Sequence, residues 1–252
     1  MKKKKNMKDF SNIKPLEHLM RRGEIPSLDY YRKDNLNYEY GFFLGIDIVM
    51  PLHKVLDFPA QDLKTSWKTT QDYINKTLTI LEEEYNEDID EMSPTVDLDG
   101  EQIRDIIYQL GNPPVQCYPI YIITTGTDEN EKVVYIGKTS SSNHRFAGGH
   151  LAALKLNDPK YDGLEKKIYF GCLTFLDSNK EYVPLEWITP YDHSEGLLSS
   201  VEACLIYHFK PELNSDHLKE NHSRIPITLM IENWTQQTSF LHYEQLAYGV
   251  KL

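Results

Sequence analysis

From Tyr118 the chain reads Tyr118-Pro-Ile-Tyr121-Ile-Ile-Thr-Thr-Gly126-Thr-Asp-Glu-Asn-Glu-Lys132-Val-Val-Tyr135-Ile-Gly137-Lys138-Thr-Ser-Ser-Ser-Asn-His144-Arg145, and the rest can be placed around this stretch. The runs Tyr118 to Thr124 and Val133 to Ile136 are rich in β-branched and aromatic residues, and the connector between them carries Gly126, Asp128 and Asn130. That pattern predicts a hairpin with a loop of several residues rather than a two-residue turn. A polar Ser/Asn patch follows Gly137, and Arg145 heads a helix-like segment to Leu156 that contains Gly148 and Gly149. Each strand thus presents a tyrosine, and the helix presents an arginine to the same neighbourhood.

Two more elements follow. Lys167 to Leu176 is apolar enough for a central strand. Leu197 to Phe209 has helical spacing, with Glu202 beside an otherwise apolar face made by Leu205, Ile206 and Phe209. A carboxylate there is costly unless it is paired or holds a metal. Pro211 ends that helix, and Asn214 follows in a loop. The order strand–strand–helix–strand–helix makes a small α/β layer.

Pro119-Ile-Tyr121, Tyr135-Ile-Gly137, Arg145, Val201-Glu202-Ala-Cys-Leu-Ile206 and Lys210-Pro211-Glu-Leu-Asn214 run in the order tyrosine, tyrosine, arginine, glutamate, asparagine. In this, roughly residues 116–216 resemble the GIY-YIG nuclease superfamily. A lone Tyr-Ile-Gly carries little weight, whereas five polar positions in order carry much more. Two features depart from the family pattern. Pro119 stands where the first motif has glycine, and the thirteen residues between Tyr121 and Tyr135 are a little more than usual. A proline is expected to be tolerated on an edge strand, where no ladder N–H is missed. The connector Thr125 to Lys132 reads as a surface extension.

The resemblance implies an α/β (α+β) fold: a β-β-α-β-α layer with a central antiparallel or mixed three-stranded sheet flanked by helices. An N-terminal mixed α/β region and a C-terminal extension would be added to it. The expected divisions are a mobile basic tail at 1–10, an accessory or substrate-recognition region at 11–112, the nuclease-like domain at 113–216 and an extension at 217–252. The clearest boundary is Pro113-Pro114. Every motif residue lies after it, so residues 1–110 are expected to choose the substrate and do no chemistry.

Elsewhere the chain reads plainly. Asp62 to about Tyr85 is helical, with Trp67, Tyr73, Ile74, Leu78 and Leu81 in register. Asp99 reads as the N-cap of a helix from Glu101 to Leu110. Tyr40 to Met50 is one or two buried strands, bent or bulged at Gly41 and Gly45. Ile225 to Ile231 is β-like, and the aromatic tail to Tyr248 extends the sheet, covers it or meets another copy. Asp97-Leu-Asp99-Gly-Glu lacks the remaining ligands of a calcium loop.

At 252 residues the chain can bury a core without disulfides, and Cys117, Cys172 and Cys204 show no paired spacing. Free thiols, the lack of a signal-peptide pattern and the lack of a membrane-length apolar run lead to a cytoplasmic expectation. The net charge of −11 opposes nucleic-acid binding at face value. Its distribution matters more: residues 1–40 carry +4, 41–115 carry −10, 116–215 carry −4 and the remainder −1. DNA would therefore have to meet a locally positive face.

For the chemistry, the resemblance implies that Tyr121 is the general base, with Tyr135 orienting the attacking water. Free tyrosine titrates near ~10, so the site must lower that value or pass the proton on, and His150 is the candidate acceptor with His144 as competitor. Arg145 would hold the scissile phosphate through its planar donor fork. Glu202 would anchor a single Mg²⁺ (or Mn²⁺), completed by water and phosphate oxygens. Asn214 would position the phosphate or fix Glu202, and Gly137 and Lys138 are the candidates for substrate contact. The expected function is a metal-dependent DNA endonuclease of restriction-modification or phage defence, acting as a homodimer or with a partner protein where one is needed. A structure-specific repair or recombination nuclease, or a non-catalytic nucleic-acid-binding module of the same fold, are the alternatives.

Overall fold

The computed structural model describes residues 14–36, 41–58, 62–89, 93–139, 146, 149–177, 182–223 and 225–248. The basic tail at 1–10, and Arg145 and His144 among the motif residues, lie outside them. The fold is mixed α/β.

The hairpin forms as the sequence predicts. Strands β4 (Ile120–Thr125) and β5 (Lys132–Lys138) pair antiparallel, with Tyr121 opposite Gly137 and Ile123 opposite Tyr135, and a bulge follows Ile123. The other strands are β1 (Glu24–Pro26), β2 (Phe42–Pro51), β3 (Thr95–Asp97), β6 (Lys166–Leu176), β7 (Tyr182–Pro184), β8 (Ile227–Asn233) and β9 (Tyr243–Tyr248). Among the described residues, seven of these strands form one sheet in the order β5-β4-β6-β2-β8-β9, with β7 beside β6; β1 and β3 make a separate pair. All pairs are antiparallel except β2 with β8.

The sheet is therefore much wider than the three strands expected. β2 lies between β6 and β8, so the range 11–112 supplies a central strand, while β8 and β9 from 217–252 complete one side. A second difference concerns Pro119. β4 is an interior strand, not an edge, and every residue of it is buried. Pro119 is accommodated because it sits one residue before the strand, where its carbonyl accepts from the Thr139 amide at 2.8 Å.

Local signals explain the helices: α1 (Pro15–Arg21), α2 (Leu63–Tyr85), α3 (Gly100–Leu110), α4 (Leu151–Lys155) and α5 (Tyr191–Phe209). In α2 the Asp62 carboxylate accepts from the Thr65 amide at 3.0 Å, and Asn86 closes the helix in the left-handed region. Asp99 caps α3 in a reciprocal capping box with Gln102. α5 starts six residues earlier than Leu197, while the described residues of the segment expected to be helical from Arg145 form the short α4. Gly149, at φ +88, holds a left-handed turn just before α4 that a helix cannot continue through.

Strand alternation divides the core across the sheet. Ile120, Ile122 and Ile136 join α2 and α5 on one side. Tyr121, Ile123 and Phe170 join Phe58, Phe146 and α4 on the other. α2 is also tied to the nuclease-like range by polar bonds: the Leu63 amide donates to the Thr139 carbonyl (3.1 Å), Trp67 Nε1 to Ile188 (2.7 Å) and Gln71 Nε2 to Glu186 (2.8 Å).

Candidate active site

The end of the hairpin where β4 begins and β5 ends lies beside several of the described motif residues. Tyr121 lies across Gly137, where any Cβ would collide with its hydroxyl and ring, so glycine is the residue that lets this tyrosine cross its neighbour strand. The rings of Tyr121 and Tyr135 stack with centroids 6.0 Å apart. The Tyr121 hydroxyl shares a 3.0 Å hydrogen bond with His150 Nε2, and the imidazole tautomer decides which of the two donates. Phe146 stacks on the His150 ring at 4.7 Å, and Tyr135 meets the ring edge-on at 5.0 Å. Gly149 and the start of α4 bring the histidine here. Its place five residues after Arg145 is read from sequence; Arg145 itself is outside the described residues.

The other wall comes from α5 and the loop after it. Lys138 points away from Gly137's face and brings its Nζ to 3.7 Å from Glu202 Oε2. The same ammonium donates to Ser199 Oγ, one turn before Glu202 on α5. Asn214 spends its carboxamide on the edge of the sheet: Oδ1 accepts from the Ile136 amide at 3.0 Å, and Nδ2 donates to the Ile136 carbonyl at 2.9 Å. This pair of bonds pins the post-α5 loop to β5. A cavity of about 520 Å³ runs between the two walls and is lined by Tyr135, Lys138, His150, Glu202, Asn214 and His217.

Ser199 and His217 escaped the sequence reading. Ser199 was legible in principle, three residues before Glu202 on a helix. His217 has no second ligand at metal-like spacing in the sequence. It lines the cavity with its backbone at φ +61, a conformation that non-glycine residues adopt at some cost. Burial lowers its pKa, helped by His222 and Lys138 and opposed by Asp216, so the ring favours its neutral form.

Among the described residues, no three His, Cys, Asp or Glu side chains stand together as a metal cage. Glu202 facing an open cavity still fits a hydrated Mg²⁺, which retains most of its waters and needs only one or two carboxylates. The cation already beside its carboxylate indicates that the position favours positive charge.

No family model, curated protein or solved structure matches this chain. The functional reading therefore stands on the sequence motif and on this geometry. No helix among the described residues is long and apolar enough to cross a membrane.

Proposed function

We propose that this chain is a metal-dependent endonuclease that hydrolyses DNA phosphodiester bonds, built on a GIY-YIG-type core and serving restriction or phage defence in the cytoplasm. The observation that carries the reading is convergence. Tyr135 and Lys138 on β5, His150 at the start of α4, Glu202 on α5 and Asn214 in the loop after it line one cavity, with Tyr121 bonded to His150 behind it.

Each residue has a task. Tyr121 removes the proton of the attacking water, and its 3.0 Å bond to His150 gives that proton a path onward. Tyr135 orients the water from the cavity wall. Lys138 and, by the resemblance, Arg145 hold the phosphate oxygens. Glu202 would hold Mg²⁺ or Mn²⁺, which when bound supplies charge neutralisation on the phosphate and the leaving 3′-oxygen. Asn214 keeps the loop beside Glu202 in register with β5.

One observation favours a variant of this scheme. Tyr121 is 0% exposed, whereas His150 lines the cavity. His150 would then take the water's proton itself, with Tyr121 fixing its ring.

The test is direct. Purified protein is incubated with plasmid and phage DNA in Mg²⁺ or EDTA, and cut ends are mapped. Cleavage in Mg²⁺ alone is expected, and Glu202→Gln should abolish it while leaving the melting temperature nearly unchanged. Undiminished cleavage by Glu202→Gln would remove the proposed metal position.

A further inference from the structure

Glu202 is the carboxylate assigned to the metal, yet an ammonium stands 3.7 Å from its Oε2. The contact is built rather than incidental. The side chains of Lys138 and Glu202 are only 20% and 16% exposed, unlike the solvent-swept pairs that contribute little. Ser199 Oγ donates its own proton to the Glu195 carbonyl at 2.8 Å, which leaves its lone pairs to accept from Lys138. Ser199 and Glu202 lie one turn apart on α5, so they form a two-point seat for one cation. The lysine reaches that seat from an edge strand whose backbone Asn214 pins two residues earlier, at Ile136.

A divalent ion on Glu202 and an ammonium within a few ångströms repel each other, and the low exposure weakens the screening between them. Both cannot sit on this carboxylate at full strength. We propose that Lys138 is the exchangeable counter-ion of Glu202. It neutralises the carboxylate in the metal-free protein and leaves when a divalent cation binds, turning Nζ into the cavity towards a phosphate oxygen. Metal and substrate binding are thereby coupled: the ion releases the lysine that the phosphate uses, and the phosphate draws away the lysine that competes with the ion. The use of the released lysine rests on the nuclease reading; the exchange on Glu202 does not.

The experiment is a Mn²⁺ titration of the full chain without DNA, followed by electron paramagnetic resonance of the free ion. Lys138→Met keeps the length of the stem and removes the charge. Its Mn²⁺ dissociation constant should fall at least about fivefold, the lower end of usual coupling between two ligands. Ser199→Ala, which loosens the seat, should shift it the same way by less, and Glu202→Gln should abolish binding. An unchanged or weaker affinity in folded Lys138→Met overturns the exchange, as does the absence of Mn²⁺ binding in every variant. Should Lys138→Met fail to fold, Ser199→Ala decides by the same criterion. DNA cleavage is scored separately. Tighter Mn²⁺ binding in Lys138→Met, with no cleavage by the wild-type protein, would uphold the exchange and refute the nuclease reading.

Discussion

The two tyrosines of the hairpin are alike in sequence and different in place. Tyr121 is sealed under Phe146 and His150, and Tyr135 borders the cavity. If Tyr121 is the base, Tyr121→Phe should lower single-turnover cleavage by about 10²–10⁴-fold and flatten the rising limb of the pH–rate profile. The ring stays in place over Gly137, so the melting temperature should change little. Tyr135→Phe should cost less and leave the profile's shape alone. A larger loss at Tyr135, with the rising limb retained in Tyr121→Phe, would reverse the two roles. Should Tyr121→Phe keep the limb while His150→Ala loses it, the histidine is the base.

At the scale of elements, the short turn Leu185–Trp187 between β7 and α5 carries a charge problem of its own. Glu186 is buried there; its Oε1 accepts from the Cys117 amide at 2.7 Å, while Oε2 has no hydrogen-bond partner among the described residues. Burial raises its pKa above the usual 4.5, only partly opposed by the Cys117 bond. A raised pKa means the folded state binds this proton more tightly than the unfolded state does. The associated stability is present in full below pH 4.5 and is lost as pH rises towards the folded value. Glu186→Gln keeps the acceptor for Cys117 and cannot ionise. Its melting temperature should therefore gain on that of the wild-type protein as pH rises from 4 to about 8. Parallel pH curves for the two proteins would show that Glu186 is not the responsible group. Elements with local caps, α2 and α3, were legible because Asp62, Asp99 and Gln102 satisfy amides a few residues away. The helix expected from Arg145 was not, because the choice between helix and turn at Gly149 belongs to backbone freedom that the apolar pattern does not report.

At the scale of the whole molecule, the placement of β2 constrains how the chain can be divided. It pairs with β6 along nearly its whole length and with β8 on its other side. A fragment beginning at Gly111 would leave both neighbours with open edges and strip the α2–α5 side of its cover. It is expected to be unfolded or aggregated, read by far-UV circular dichroism and size-exclusion chromatography, although every motif residue remains. A monomeric fragment with cooperative unfolding and weak nicking would show that residues 1–110 are separable after all.

By itself the sequence determined the hairpin, the long helices and the central character of β6, and it singled out Tyr121, Tyr135, Lys138, His150, Glu202 and Asn214. These follow from alternation, helical spacing and side-chain chemistry that neighbouring residues already express. Only the tertiary structure decided that the sheet has seven strands among the described residues, that β4 is interior, and that Tyr121 is sealed beneath His150. It also decided that Lys138 stands on Glu202, and that Asn214 is bonded to β5 at the cavity wall. Strand order and cross-chain pairing depend on contacts between residues far apart in sequence. A strand's composition reports that it is buried, and not which neighbour buries it.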